Sequence, residues 1–278
     1  MKKLKVAFQG EPGAYSEMAA MAFFGENIKS IPCNMFEGVF EQVKEKKAAY
    51  GLLPFENSLA GSIHRNYDLI LRNEQHIVGE YYLKVQHCLM SVPGATLSDL
   101  LQVYSHPQAL AQCEFNIKNL GLQKIATPDT AGSARNVMEW GDKKKAAIAS
   151  KRAAQVYDLE ILVQNFEDNV SNFTRFLALS LFPFEVDDPE EGDYKTSIVF
   201  SLMNKPGSLF KALSVFALRE IDLTKIESRP IPGKPWEYLF YVDFAGHQAS
   251  ANCTKAIDHL EELATFIRVL GSYPRYGC

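Results

Sequence analysis

No stretch of about 18 consecutive apolar residues occurs in this 278-residue chain, so no segment is expected to span a membrane. Charge of one sign is not in excess: 29 Lys and Arg against 33 Asp and Glu leave a net charge of -4. With no basic block to follow a phosphate backbone, nucleic acid is not expected as a partner. Cysteine is sparse and never arranged as C-x-x-C. The five (Cys33, Cys88, Cys113, Cys253, Cys278) and the six dispersed histidines predict neither a disulfide framework nor a metal site. His87 and Cys88 are neighbours, and on a strand they would point to opposite sides rather than at one ion. Phosphate signatures are missing too. Gly10 and Gly13 make G-x-x-G rather than G-x-G-x-x-G, and G-x-x-x-x-G-K-[ST] is absent, so neither a dinucleotide nor ATP is expected. G-x-S-x-G is also absent. The opening MKKLKVAFQG runs its basic residues directly into a strand-like segment, without the longer apolar core of a secretory signal, which predicts a cytoplasmic protein.

What is present is an alternation of short apolar runs and amphipathic segments. KVAFQG precedes YSEMAAMAFF, YGLLPF precedes SIHRNYDLILR, and LQVYSH precedes PQALAQCEFNIKNL; QKIAT and KAAIAS likewise precede DTAGSARNVMEW and KRAAQVY. Strand and helix in alternation predict parallel sheets flanked by helices. Leu110, Cys113, Ile117 and Leu120 share one face of an expected helix. The joints carry small polar residues, placing expected helix starts near Tyr15 and Ser16, Ser58, Ser105, Thr130 and Ala131, and Ser150. In an open α/β sheet such joints lie where ligands bind, and helix N-termini there suit an anion. Residues 182–193, FPFEVDDPEEGD, hold six carboxylates and no base, the composition of a linker. We therefore divide the chain into a domain over 1–182, an acidic linker over 183–194 and a second domain over 195–278. The second reads βαββαβ, a ferredoxin-like α+β order. Leu209, Leu213, Phe216 and Ala217 are its expected core positions on the first helix.

One segment resists a purely structural reading. NFTRFLAL, Asn172 to Leu179, has the look of a buried strand yet carries Thr174 and Arg175 in its middle. A guanidinium keeps its proton, so burying one calls for an anion beside it.

The motifs in chain order resemble those of the monofunctional prephenate dehydratase family with a C-terminal ACT domain. They are GEPGAYSEMAA (Gly10 to Ala20), LPFENSLAGS (Leu53 to Ser62), SHPQALAQC (Ser105 to Cys113) and DTAGSA (Asp129 to Ala134), then AAIAS (Ala146 to Ser150), NFTRF (Asn172 to Phe176) and ESRP (Glu227 to Pro230). The resemblance implies a catalytic domain of two α/β lobes, similar to type II periplasmic binding proteins, with the site in the cleft between them. Lobe 1 would take about 1–80 and 165–182, and lobe 2 about 81–164. It implies no cofactor and the conversion of prephenate to phenylpyruvate with loss of carbon dioxide and the ring hydroxyl. Thr174, Arg175 and Phe176 match the family's Thr-Arg-Phe signature. The resemblance makes Thr174 the donor to the departing hydroxyl and Arg175 the grip on a substrate carboxylate, with Glu56, Asn57, Ser58, Ser105 and Gln112 lining the pocket. Glu56 is a rival donor, since burial raises a carboxyl pKa. Thr174 and Arg175 take opposite faces of a plain strand, so a hinge crossing is expected there to bring both to one site.

For the second domain the resemblance implies L-phenylalanine as allosteric effector, bound by Asn204, Gly207, Ser208 and Leu209 together with Glu227, Ser228, Arg229 and Pro230. Ser208 and Phe210 depart from the family's Gly-Ala-Leu-aliphatic motif. Paired ACT domains imply at least a homodimer, and the family tends toward tetramers. Arogenate dehydratase, the same elimination on the transaminated substrate, and a non-catalytic amino-acid sensor stay open as alternatives.

Overall fold

The computed structural model describes residues 3–231 and 233–277; Pro232, in the PIPGKP turn, and Cys278 lie outside the described residues. The chain begins with β1 (Leu4–Gln9), α1 (Tyr15–Phe24), β2 (Ile28–Cys33), α2 (Phe36–Lys44), β3 (Tyr50–Asn57), β4 (Gly61–Ser62), α3 (His64–Arg72) and β5 (His76–Lys84). It continues through β6 (Cys88–Ser91), β7 (Gln102–Ser105), α4 (Pro107–Gln112), α5 (Glu114–Asn119), β8 (Gln123–Ala126), α6 (Thr130–Trp140), β9 (Lys145–Ala149), α7 (Lys151–Val156), β10 (Glu160–Val163) and β11 (Phe173–Ser180). The last stretch is β12 (Tyr194–Leu202), α8 (Ser208–Ala217), β13 (Leu223–Pro230), β14 (Tyr238–Ala245), α9 (Ala251–Leu263) and β15 (Ala264–Pro274).

The first part builds two sheets, in the orders β2-β1-β3-β11-β5, with β4 on β3, and β10-β6-β9-β7-β8. This is the expected α/β plan of two lobes, with one difference: the sheets are mixed. β1 pairs in parallel with β2 and β3, and β7 with β8 and β9, but β6 runs antiparallel to both β9 and β10. After Lys145 the run AAIA on β9 is apolar and buried throughout because both sheet faces are covered. Ala147 and Ala149 join a core with Ala131, Ala134 and Val137 of α6, while Ala146 and Ile148 join one with Leu110, Cys113 and Ile117.

The helix expected over PQALAQCEFNIKNL is broken at Cys113, whose φ of -119° and ψ of 18° leave the helical region. The reason lies elsewhere in the chain: the Asp168 carboxylate accepts from Phe115 N at 2.8 Å and Asn116 N at 3.1 Å, capping a fresh helix start. Leu110, Cys113 and Ile117 are buried as expected, but Leu120 is exposed.

By internal contacts the chain forms two units, one of residues up to 71 with 81–176, the other of 72–80 with 177 onward. The second unit contains a four-stranded antiparallel sheet in the order β13-β14-β12-β15, with the predicted βαββαβ sequence of elements. Its helices bury Ala212, Val215 and Phe216 of α8 with Cys253, Ala256 and Leu260 of α9 against Ile198, Phe200 and Val242. The stripe on α8 is thus rotated from the expected one: Phe216 is core, whereas Leu209 and Ala217 are exposed.

Candidate active site

All residues of the candidate site belong to the first unit. A cleft of about 500 Å³ is walled by strand ends and helix starts, among them Gln9, Ser16, Asn57, His106, Thr130 and Thr174. Its geometry starts from β11. Thr174 and Phe176 line the cleft, and Arg175 between them does not, although it is only 5% exposed. β11 is an unbroken strand from Phe173 to Ser180, so ordinary alternation sends Arg175 to the other face. The expectation that Thr174 and Arg175 share the site, with Arg175 gripping a carboxylate in it, is corrected on that ground.

Asn57, at the end of β3, organises this corner. Its Nδ2 lies 2.8 Å from Asn172 Oδ1, 3.1 Å from Phe173 O and 3.0 Å from Thr174 Oγ1. An amide has two protons for these three acceptors, so one is shared. Its Oδ1 accepts from Leu59 N at 3.1 Å and Ala60 N at 3.0 Å, closing the turn after β3. The consequence for Thr174 is chemical. Its oxygen accepts from Asn57, leaving the hydroxyl proton for whatever occupies the cleft.

A second group of the wall is arranged the same way. Gln112 Oε1 meets His87 Nε2 at 2.8 Å, His87 Nδ1 meets the Tyr15 hydroxyl at 2.7 Å, and Tyr15 also reaches Gln86 O at 3.0 Å. His87 is 2% exposed, and burial lowers its pKa from the ordinary imidazole value, against smaller raising effects of Gln112 and Glu167. Burial also raises the Tyr15 phenol, which stays protonated. Gln112, at the end of this chain of contacts, lines the cleft.

Helix starts complete the wall. α1 begins at Tyr15 with no side-chain cap, so its first N–H groups lack helical partners. Glu17 is turned away, holding Gly13 N at 2.7 Å and Ser30 Oγ at 2.8 Å. At α6 Asp129 is the N-cap, accepting from Gly132 N at 2.6 Å, and Thr130 follows on the cleft wall. Among the described residues lining the cleft there is no lysine or arginine, and Asp129 is the one carboxylate. An anion held here therefore meets hydrogen-bond donors and helix dipoles rather than a lysine or arginine.

Several expected site residues take other roles. Ser105 is fully buried, donates to Ile148 O at 2.6 Å and does not line the cleft; the helix after it is capped by His106 instead. Ser58 starts no helix: its Oγ donates to Ser171 O at 3.1 Å and accepts from Phe173 N at 2.9 Å, tying the turn to β11. Glu56 stands opposite Ser62 in the β3–β4 register and, unlike Ser62, does not line the cleft. Ala131 is fully buried core. Ser150 does cap α7, accepting from Ala153 N, and its hydroxyl donates to Gly13 O at 2.5 Å. Tyr15, Ser16, Asn57, Gln112, Thr130, Thr174 and Phe176 are brought together at the wall. His87 and His106 join them unforeseen. His87 carries a signal in the sequence, an imidazole at the head of the apolar run Cys88 to Met90.

In the second unit, Gly207 takes φ +79° as the N-cap of α8, the left-handed conformation that glycine adopts without strain. Asn204 and Leu209 are exposed and Ser208 is half-buried. Glu227, Ser228, Arg229 and Pro230 end β13, an edge strand whose residues alternate between half-buried and exposed. Among the described residues, no three His, Cys, Asp or Glu side chains are gathered so as to hold a metal ion.

Two lobes around a donor-lined cleft, followed by a βαββαβ domain, define a small-molecule-binding protein with an appended α+β module. The chain belongs to the prephenate dehydratase family: that family's model matches residues 6–181, and the ACT domain model matches 196–258. It is 49% identical to arogenate dehydratase/prephenate dehydratase 1, chloroplastic, of Arabidopsis thaliana, over 98% of this chain and 72% of that one. Arogenate dehydratase 2 of Petunia hybrida is 48% identical over the same shares. Among solved structures, the prephenate dehydratase of Arthrobacter aurescens in complex with L-Phe has a TM-score of 0.88 at 30% identity, covering 98% of this chain and 90% of that one. GqqA, a quorum-quenching acylase, has a TM-score of 0.91 at 37% identity, covering 98% of each chain. The chain is accordingly a dehydratase, a carbon–oxygen lyase of aromatic amino acid biosynthesis.

Proposed function

We propose that this dehydratase acts on prephenate. The bond from the ring to its carboxylate breaks, that electron pair enters the ring, and the ring hydroxyl leaves at the opposite carbon. The products are phenylpyruvate, carbon dioxide and water. Aromatisation drives the reaction, so the protein has to hold a dianion and help one hydroxide depart. The observation that carries this reading is Thr174, which lines the cleft with its hydroxyl oxygen accepting from Asn57, so that its own proton is left to donate. Full transfer from a threonine would leave an alkoxide, so Thr174 hydrogen-bonds the departing oxygen and relays a proton from water. Gln112 and the starts of α1 and α6 hold the carboxylates. Among the described residues the two cleft histidines are hydrogen-bonded to Tyr15, Gln112 and the Gln108 N–H rather than to a serine or threonine.

A second substrate is supported by one feature. Asp129 brings a carboxylate to the wall beside the start of α6. Arogenate carries an ammonium and a carboxylate on one carbon, and these complement Asp129 and the N–H groups after it. The plant relatives named for arogenate dehydratase support the same substrate.

The ACT domain is read as a phenylalanine sensor, supported by the L-Phe complex of the Arthrobacter neighbour. Pairing of ACT domains into a homodimer, and of dimers into a tetramer, completes this reading. Purified protein given prephenate and arogenate in separate incubations, with products identified and phenylalanine titrated in, tests it. Phenylpyruvate from prephenate, suppressed by phenylalanine, is expected. Product from arogenate alone would establish the second substrate, and no product from either would overturn both.

A further inference from the structure

The Tyr15–His87–Gln112 chain admits two proton arrangements on the same heavy atoms. In one, His87 carries its proton on Nε2 and donates to Gln112 Oε1, while Tyr15 donates to the bare Nδ1. In the other, His87 carries its proton on Nδ1 and donates to Tyr15, whose own proton goes to Gln86 O at 3.0 Å. The Gln112 amide would then reverse, donating to Nε2 and showing its oxygen to the cleft. The tautomer of one buried imidazole thus decides whether Gln112 offers the cleft donors or an acceptor.

We propose that His87 is a positioning residue: as a neutral imidazole protonated on Nε2, it joins Tyr15 on α1 to Gln112 at the end of α4 and keeps the Gln112 N–H groups facing an anionic substrate. The proposal rests on the dehydratase reading for the nature of that substrate. The elements around His87 support the neutral form. Tyr15 comes from α1, Gln112 and the buried thiol Cys113 from the end of α4, and Cys88 from β6. Glu167, after β10, spends one carboxylate oxygen on His87 N at 2.7 Å. The carboxylate of Glu167 and the bond to Gln112 favour the imidazolium, but burial outweighs them. Only an imidazole with one bare nitrogen can accept from Tyr15 and donate to Gln112 at once.

The first test is ¹⁵N NMR of the imidazole in the intact protein, which reads the tautomer whether or not any substrate is turned over. A neutral ring with Nε2–H, persisting below the ordinary imidazole value of 6.5, is expected; an Nδ1–H ring or an imidazolium there would overturn the proposal. The second is a cycle with His87→Phe, His87→Gln and Gln112→Ala on whichever substrate the protein accepts. His87→Phe should lower kcat/KM by about 10- to 100-fold. His87→Gln, which can still donate to Gln112, should recover most of it, and His87→Phe should add little in the Gln112→Ala background. Additive losses, or a His87→Gln variant no better than His87→Phe, would mark a structural role only. Loss of all activity in the unaltered protein would instead defeat the dehydratase reading and leave the NMR test standing.

Discussion

A threonine hydroxyl is a feeble acid, and what fits Thr174 for its place is the company of one asparagine. Asn57 supplies N–H to Asn172, Phe173 and Thr174 at once. Asn57→Asp replaces those donors with a carboxylate facing three oxygens, and leaving buried acceptors unmet costs about 1–3 kcal/mol each. We expect kcat to fall by more than about 10² and thermal unfolding to come earlier, measurable by assay and melting curve. A further consequence concerns acid. Burial lowers the pKa of His76, His87 and His247 from the ordinary 6.5, with Arg268 also lowering His76. In the unfolded chain these imidazoles regain the ordinary value and bind more protons. Stability attached to them is therefore whole above 6.5, declines as pH falls through it, and levels off below the depressed folded values. Replacing His76, which lies outside the cleft, with glutamine should flatten part of that slope in melts taken across pH.

At the scale of elements, the loop from Gly10 to α1 is fitted tightly to α7. Gly13 has φ +89°, and a Cβ there would sit 2.7 Å from Ala153 Cα. Gly13→Ala should destabilise the protein by about 1–3 kcal/mol and disturb the start of α1, with both a lower melting temperature and a higher KM. Elements of this kind show what could be read beforehand. The βαββαβ order and the strand–helix alternation were legible because apolar period and turn residues are local. The helix starts were less so: Asp129 and Ser150 are caps, but Ser58 and Ser105 use their hydroxyls on distant carbonyls, a choice only the tertiary fold reveals. The break at Cys113 depends on Asp168, more than fifty residues away along the chain. The facing of Arg175 is legible from alternation itself, which the continuous strand β11 obeys. The core stripe of α8 went to Ala212 and Val215 because a small residue lets the helix approach the sheet, while Leu209 stays exposed.

At the scale of the molecule, residues 72–80 of the catalytic sequence share a unit with the ACT domain. Within it Glu80 and Lys195, 1% and 4% exposed, meet at 2.7 Å and 2.9 Å. Removing one partner of a buried pair costs about 3–5 kcal/mol, so Lys195→Met should lower the melting temperature markedly, and Glu80→Gln with Lys195→Met should recover part of the loss. β5 runs on from Glu80 toward Val85 and His87 of the cleft wall, and β11 leaves that wall at Phe176 for the second unit. Both strands thus run from one unit into the other. The donors of the cleft, headed by Thr174, are the heart of the matter. The most direct measurement is the single-turnover rate of phenylpyruvate formation by Thr174→Val, alongside the affinity of the same variant for prephenate. A fall in rate of about 10² to 10⁴ with affinity nearly unchanged is expected; an unaltered rate would contradict the assignment of the cleft chemistry to this hydroxyl.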